Sequence, residues 1–435
     1  MLSIGIASSG ILTFAYFAIA SHVLGNSARG RSSYGRIDVL WSVMFVIICV
    51  IYRPIEQLLS RTIADRRARG LARQPLRAAM SIQGAFALIF VAVALPAHHT
   101  IAHGVFHSQT LYWILVVGVL AYAASYFARG WLAGHKYFAL YGGLVFMESA
   151  SRFAFALAAA IGIAHGQSAI AIGIAAAPFV SLVVVPAAFL SASQRSRGAV
   201  SLSDAALEGP AAESIEEAVN DLSIRRGGRF AISVSGIQLA EQTLLNAAVL
   251  TVAATTGTRS PLSSTVFDLL LITRAPLQLF QAIQTSLLPH LAGLEATKGR
   301  EAFARAIRIT VSAIAAFALA VAVGLAAIGP FAMHHVFGYD YPYDRFGLAL
   351  IAIGMGLHLS AGTLNQAALA RGQAARAAAF WLLAAVLFVG WMVLGVISDQ
   401  VLRTEVGYTG AAGVLALALT LLYRRGSPTA SASAT

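Results

Sequence analysis

Charge and cysteine are what this sequence has least of. Only 11% of its 435 residues are charged, and it holds a single cysteine, Cys49. One thiol builds neither a disulfide framework nor a cysteine metal site, so the redox compartment stays open. Lysine is nearly missing: of 30 basic residues only Lys136 and Lys298 are lysines, and neither follows a glycine. A Walker loop needs a Gly-Lys pair at its phosphates, which excludes a pump of that kind. Carboxylates are few as well, 18 in all, leaving a net charge of +12. Apolar residues make up 58% of the chain, with a mean hydropathy of +0.75. A soluble domain of this size cannot cover so much apolar surface with so few charges. The expected class is an all-α polytopic membrane protein with no catalytic residues, no metal and no cofactor.

Apolar runs near the length that an ~30 Å hydrocarbon core asks of a helix recur throughout. They place spans at 2–24, 38–59, 79–96, 109–127, 140–164, 168–192, 229–253, 263–290, 306–329, 346–369, 378–397 and 408–423. Ala18-Ile19-Ala20 imitates a signal-peptidase site, but no positive charge precedes it, so 2–24 reads as a retained first helix. With the N-terminus inside, 21 Lys and Arg residues fall in cytoplasmic segments and 6 in external ones. The positive-inside rule then puts both termini in the cytoplasm. The arginines are scattered between apolar runs rather than gathered on one face. They read as topology signals and contacts to membrane lipids, with no nucleic-acid partner. The skew to arginine and alanine resembles a high-GC genome, and the expected home is the bacterial plasma (inner) membrane.

The longest connection splits the chain. Residues 1–192 form an expected N-terminal six-helix lobe, 193–228 a cytoplasmic linker, 229–424 a C-terminal six-helix lobe, and 425–435 a disordered cytoplasmic tail. Within the linker Ile215, Val219 and Leu222 recur at helical spacing beside Glu213, Glu216, Glu217 and Asp221. That pattern predicts a short amphipathic helix on the cytoplasmic surface.

Charges inside spans are costly, by a few kcal/mol on insertion scales, and normally face a cavity or a partner. Here they are Arg53 and Glu56 in span two, Glu148 and Arg152 in span five, Glu241 in span seven, and Asp268 and Arg274 in span eight. Glu148 and Arg152 are four apart and can pair along one helix; the pair either stiffens one lobe or takes part in proton coupling or cargo binding. Gln238, Gln242 and Asn246 give Glu241 a polar stripe, which either lines an aqueous cavity or forms a buried hydrogen-bond network. Arg53 and Arg274 each lie in the second helix of their half with a proline close behind, Arg53-Pro54 and Arg274-Ala275-Pro276. Two parallel halves with the cargo site between them are a known transporter plan. Arginine's planar fork matches phosphate oxygens two at a time, so a cavity with surplus arginine suits a phosphate or pyrophosphate head group.

Three stretches carry a resemblance. They are Val23-Leu24-Gly25 through Tyr34-Gly35 to Leu40-Trp41; Arg53-Pro-Ile-Glu-Gln57; and Arg274-Ala-Pro-Leu-Gln-Leu-Phe-Gln-Ala-Ile-Gln-Thr-Ser-Leu-Leu-Pro-His-Leu291. In these the chain resembles the polysaccharide-flippase (Wzx-like) branch of the multidrug/oligosaccharidyl-lipid/polysaccharide (MOP) exporter superfamily. The resemblance implies a MATE/MurJ-like bundle of two lobes around a cationic cavity, working by alternating access. Its implied cargo is a polyprenyl-(pyro)phosphate-linked glycan for cell-envelope polysaccharide synthesis, with Arg53 and Arg274 at the lipid phosphate. Its implied partners are membrane lipids and other polysaccharide-assembly proteins. The first helix lacks the arginines of related peptidoglycan-precursor flippases, which argues against lipid II as cargo.

Three rival readings remain. A major-facilitator permease shares the six-plus-six plan, and Asp65-Arg66-Arg67-Ala68-Arg69-Gly70 is similar to its cytoplasmic motif. However, Arg61 and Ala68 stand where its glycines belong. A cation-coupled drug exporter of the same superfamily is the second. A membrane glycosyltransferase or polymerase would need acids in external loops, which offer only Asp340, Asp344, Asp399 and Glu405. Histidines 98, 99, 103 and 107, with His334 and His335, read as solvated interfacial residues, with a metal or pH-sensing site as the alternative.

Overall fold

The computed structural model describes the backbone of residues 2–25, 27–68, 76–184, 210–257, 260–338 and 343–425. Side chains are described over the same ranges except 210–231, 273–300 and a few positions near helix ends. The described chain is helical from end to end. Its elements are α1 (Leu2–Leu24), α2 (Ala28–Ala68), α3 (Leu76–Ala94), a π-helical turn (Thr100–Val105), α4 (Gln109–Gly134), α5 (Phe138–Ala160) and α6 (Gly166–Ser181). They continue with α7 (Pro210–Thr256), α8 (Pro261–Phe337), α9 (Arg345–Ala370), α10 (Ala374–Leu394) and α11 (Gln400–Arg425). Among the described residues nine helical stretches are long and apolar enough to cross a membrane. Three shorter apolar ones, Ala79–Ala94, Gly166–Ser181 and Leu262–Ile272, accompany them.

Local chemistry sets many helix ends. Ser108, Ser260 and Asp344 each accept from a backbone N–H of the first turn of α4, α8 and α9, which satisfies a donor the helix itself cannot. Asp399 does the same for α11, accepting from Val401 and Leu402 at 2.8 and 3.1 Å. Pro261 opens α8, where a missing N–H costs nothing. Gly338 and Gly395 close α8 and α10 with φ of 70° and 66°, a left-handed conformation that glycine adopts without strain.

Four expectations about helix limits change. Helix α2 begins ten residues before the apolar run of span two, because Ser27 Oγ accepts from Gly30 N and no proline lies between that cap and the apolar run. Arg29, Arg31 and Arg36 are therefore helical rather than loop residues. Helix α4 runs past 127 to Gly134, which carries Arg129 into the bundle. Spans eight and nine belong to one continuous helix, α8. The expected loop 291–305 reads Leu-Ala-Gly-Leu-Glu-Ala-Thr-Lys-Gly-Arg-Glu-Ala-Phe-Ala-Arg, which holds strong helix formers and no proline or turn pair. The surface helix expected around 214–222 is the first part of α7 and continues into span seven without a break. Residues 185–209, which take in the end of span six and the first part of the linker, and 426–435 of the tail lie outside the described residues.

Packing repeats between the halves. Helix α1 packs on α5, as α7 packs on α10. Helix α2 packs on α4 as α8 packs on α9, α5 on α6 as α10 on α11, and α4 on α6 as α9 on α11. The halves meet through α1 with α8 and α2 with α7. Large apolar side chains such as Leu88, Val93, Leu319, Val386 and Val393 point outward, the surface expected of helices solvated by lipid.

Candidate functional site

The first half carries a polar spine through its interior. Tyr141 of α5 donates to Glu56 Oε1 of α2 at 2.6 Å. Arg129 of α4 forms an ion pair with Glu148 of α5, whose other oxygen accepts from Ser125 and, at 3.4 Å, from Ser181. The Arg129 guanidinium also lies over the Tyr126 ring at 4.5 Å. Arg152 is buried; it donates to Tyr122 Oη at 2.7 Å and Ser149 Oγ at 2.9 Å, and its Cζ stands 5.2 Å from the Trp41 ring centre. Ser149 continues to Ser9 of α1 at 2.5 Å. The pairing expected between Glu148 and Arg152 along α5 is replaced by one across helices, because the extension of α4 brings Arg129 to Glu148. A buried charge with a direct partner and further hydrogen bonds avoids most of its desolvation penalty.

Arg53 of α2 differs from these arginines. It is half-buried and makes no hydrogen bond or ion pair with any described residue. The first charge acting on it is Glu241 of α7, ahead of Glu56 on its own helix. Glu241 is half-buried and accepts from Gln238 Nε2 at 3.1 Å. The other members of its stripe face inward: Gln238, Gln242 and Asn246 are buried, and Asn246 donates to Gln242 Oε1 at 3.2 Å. The contact between α2 and α7 thus sets one cation of the first half opposite one carboxylate of the second. Helix α2 stays continuous through Pro54. Arg274 lies in the stretch of α8 whose side chains are outside the described residues.

Asp268 of α8 is fully buried and accepts from Tyr34 Oη of α2 at 2.7 Å, so it bridges the halves. Close by, Phe17 meets Phe267 at 4.7 Å and Phe14 meets Phe337 at 5.7 Å. These contacts join the ends of α1, α2 and α8 that the charge asymmetry places outside.

Sequence reasoning passed over four members of this arrangement. Asp38 is fully buried at the head of span two; Arg129 lies beyond the apolar run of span four; Tyr34 carries the bridge to Asp268; and His358 is buried in the middle of α9. His358 was visible as a lone imidazole inside an apolar run. The external histidines sit on and around the π-helical turn: His98 meets Gln109 Oε1 at 2.6 Å, and His103 meets Gln109 Nε2 at 3.2 Å. No three His, Cys, Asp or Glu side chains converge as a metal site among the described residues. Beside this turn, α2, α3 and α4 enclose an apolar cavity of about 410 Å³, lined by residues such as Val43, Ile47, Phe86, Phe90 and Leu115.

The two-fold helix plan and its central seam define a class: this is the fold of MATE transporters of the MOP superfamily. An outward-facing multidrug resistance MATE family transporter matches with a TM-score of 0.69 at 15% identity, over 98% of this chain and 94% of that one. Its inward-facing counterpart gives 0.66 at 14% identity, over 98% of both chains. A MOP transporter from Pyrococcus furiosus, described as having a binding pocket of reverse polarity that suggests a different function, gives 0.63 at 14% identity over 98% and 94%. No protein-family model and no curated protein sequence matches the chain.

Proposed function

We propose that the chain is an alternating-access transporter of the bacterial inner membrane that flips a polyprenyl-(pyro)phosphate-linked sugar outward, as in the polysaccharide-flippase branch of the superfamily. Two lobes, 1–192 and 229–424, rock about the seam between α1, α2, α7 and α8. The observation that carries the cargo reading is Arg53, a half-buried guanidinium at that seam that no described side chain engages by hydrogen bond. The other two described arginines inside the bundle, Arg129 and Arg152, are committed within the first half. A free fork facing an intramembrane seam suits phosphate oxygens, with Arg274 as the second expected ligand. The apolar cavity beside α3 has room for part of an isoprenoid chain. An inside-negative potential favours outward movement of an anion by about 2.3 kcal/mol per charge per 100 mV, so no nucleotide is needed.

A second reading has its own support. The buried carboxylates Asp38 and Asp268, together with Glu241, suit a cationic cargo, and the fold is shared with multidrug transporters. Against a glycosyltransferase or polymerase, Asp344 and Asp399 are occupied in capping helices and Glu405 is buried.

Binding separates these readings. In nanodiscs the wild type should bind a polyprenyl-pyrophosphate sugar, and Arg53→Ala and Arg274→Ala should each weaken binding at least tenfold. Equal binding by wild type and both variants, or saturable binding of a lipophilic cation instead, would favour the drug-exporter reading.

A further inference from the structure

Two side-chain hydrogen bonds tie α3 to α4. Gln83 Nε2 donates to the Ala123 carbonyl at 2.6 Å, and Tyr112 Oη donates to the Ala94 carbonyl at 2.7 Å. The apolar cavity of about 410 Å³ lies between these ties, with Val43, Ile47 and Ile51 of α2 as its third wall. Ile89 and Val93 of α3 line it too, yet they are 59% and 66% exposed, so the cavity opens sideways to where lipid stands. Helices α2 and α4 start outside and α3 ends there, which puts the cavity in the outer half of the bundle. From Gln83 to Ala94 the helix axis advances about 16 Å. One leaflet is close to that, at about 15 Å or half of an ~30 Å hydrocarbon core. So apolar a lining stays dry, and its atoms forfeit dispersion contacts if nothing faces them. Hydrocarbon chain is what the bilayer offers to fill it.

The outer end of the cavity has a polar rim. Ile101 and Val105 of the π-helical turn line the cavity, while His99 and His103 at the same turn are exposed. Tyr112 belongs to both parts: its ring lines the cavity and meets His98 edge-on at 4.7 Å. Gln109 orders the imidazoles. Its Oε1 accepts from His98 Nε2 at 2.6 Å, and its Nε2 donates to His103 Nε2 at 3.2 Å. His103 therefore carries its proton on Nδ1. That N–H and the ring nitrogens of His99, whose ring centre is 4.9 Å from that of His103, have no hydrogen-bond partner among the described residues. The chain holds no Asp or Glu from Arg66 to Met147, so α3, the turn and α4 supply no carboxylate to these donors. Asp38, the carboxylate in the outer half of α2, is fully buried.

We propose that this is a binding site for one anionic glycerophospholipid of the outer leaflet, with an acyl chain in the cavity and the phosphate at His99 and His103. The imidazole N–H groups donate to the phosphate oxygens, and such charge-assisted bonds favour an anionic head over a neutral one. The bound chain supplies the packing that α3 lacks against α2 and α4, and so holds α3 to its lobe while the lobes rock. The Gln83 tie closes the cavity on its inner side. A chain seated there stays within one leaflet, as an acyl chain does and as a tail that follows its cargo across the membrane does not. The site is independent of Arg53 and of what the protein carries.

Native mass spectrometry tests it. The full chain in detergent is mixed with equal amounts of phosphatidylglycerol and phosphatidylcholine bearing the same acyl chains, then washed. The wild type should retain one lipid, phosphatidylglycerol over phosphatidylcholine at least fivefold. His99→Ala combined with His103→Ala changes two exposed side chains; it should bring that preference near unity while a lipid is still retained. Ile47→Trp and Ile89→Trp fill the cavity from opposite walls, and each should lower retention of both lipids severalfold. Each is read only if it elutes as wild type on size exclusion, and the histidine variant decides the head group without them. A wild type that retains no lipid or shows no preference overturns the proposal. So does a preference that survives loss of both histidines, or retention undiminished in a folded tryptophan variant. Displacement of phosphatidylglycerol by an equal amount of short-chain polyprenyl phosphate would assign the cavity to the cargo's tail and overturn the phospholipid.

Discussion

At the scale of single residues, the three described intramembrane arginines divide by their partners. Arg129 is paired to Glu148, Arg152 is held by two hydroxyls and an indole face, and Arg53 is held by none. Their sequence context does not distinguish them. A residue's place inside an apolar run was legible, so Arg53, Glu148, Arg152 and Glu241 all stood out. Which residue pairs with which depends on helix register across the bundle, and that does not show in spacing along one helix. Glu148 and Arg152 are one turn apart yet bond elsewhere, because the partner at Arg129 lay beyond the apolar run. The pairing has a measurable consequence. Glu148→Ala leaves the Arg129 charge buried and uncompensated, which should cost about 3–5 kcal/mol and lower the thermal unfolding midpoint in detergent. The double change Arg129→Leu with Glu148→Leu removes both charges and should recover more than half of that loss. An undiminished midpoint in Glu148→Ala would show that the pair contributes nothing.

At the scale of elements, apolar runs placed a helix at each of the twelve expected spans, nine of them described as long enough to cross a membrane and three shorter, but their ends gave the helix limits only loosely. Helix α2 gains ten residues at its start and α8 joins two spans, since polar residues with good helix propensity extend a helix beyond the hydrocarbon. Close packing between helices in lipid relies on small residues at the contact. Gly130 of α4 is one such point: a β-carbon there would stand 2.8 Å from the Glu56 carbonyl oxygen and 3.2 Å from Leu59 Cβ on α2. Gly143, by contrast, has open space around it. Gly130→Val should therefore separate α2 from α4 and reduce the monodisperse fraction on size exclusion severalfold, while Gly143→Ala should elute as wild type. Equal behaviour of the two would mean that α2 and α4 do not pack as described.

At the scale of the molecule, the repeated packing of the halves follows from a plan that the sequence hinted at only through two Arg-Pro echoes and a central polar stretch. The halves touch through apolar rings and the Tyr34–Asp268 bond at one end, and through the Arg53–Glu241 seam. A seam that sets a cation against a carboxylate can serve an anion or a cation. Cargo polarity is therefore the central claim, and transport tests it most directly. In sealed proteoliposomes with an inside-negative potential, a fluorescent polyprenyl-pyrophosphate sugar placed in the inner leaflet is followed by quenching from outside. The account predicts appearance in the outer leaflet at least tenfold faster than in protein-free vesicles, and a loss of that gain in Arg53→Gln. Protein-free rates from a folded wild type that instead exports a lipophilic cation would contradict it.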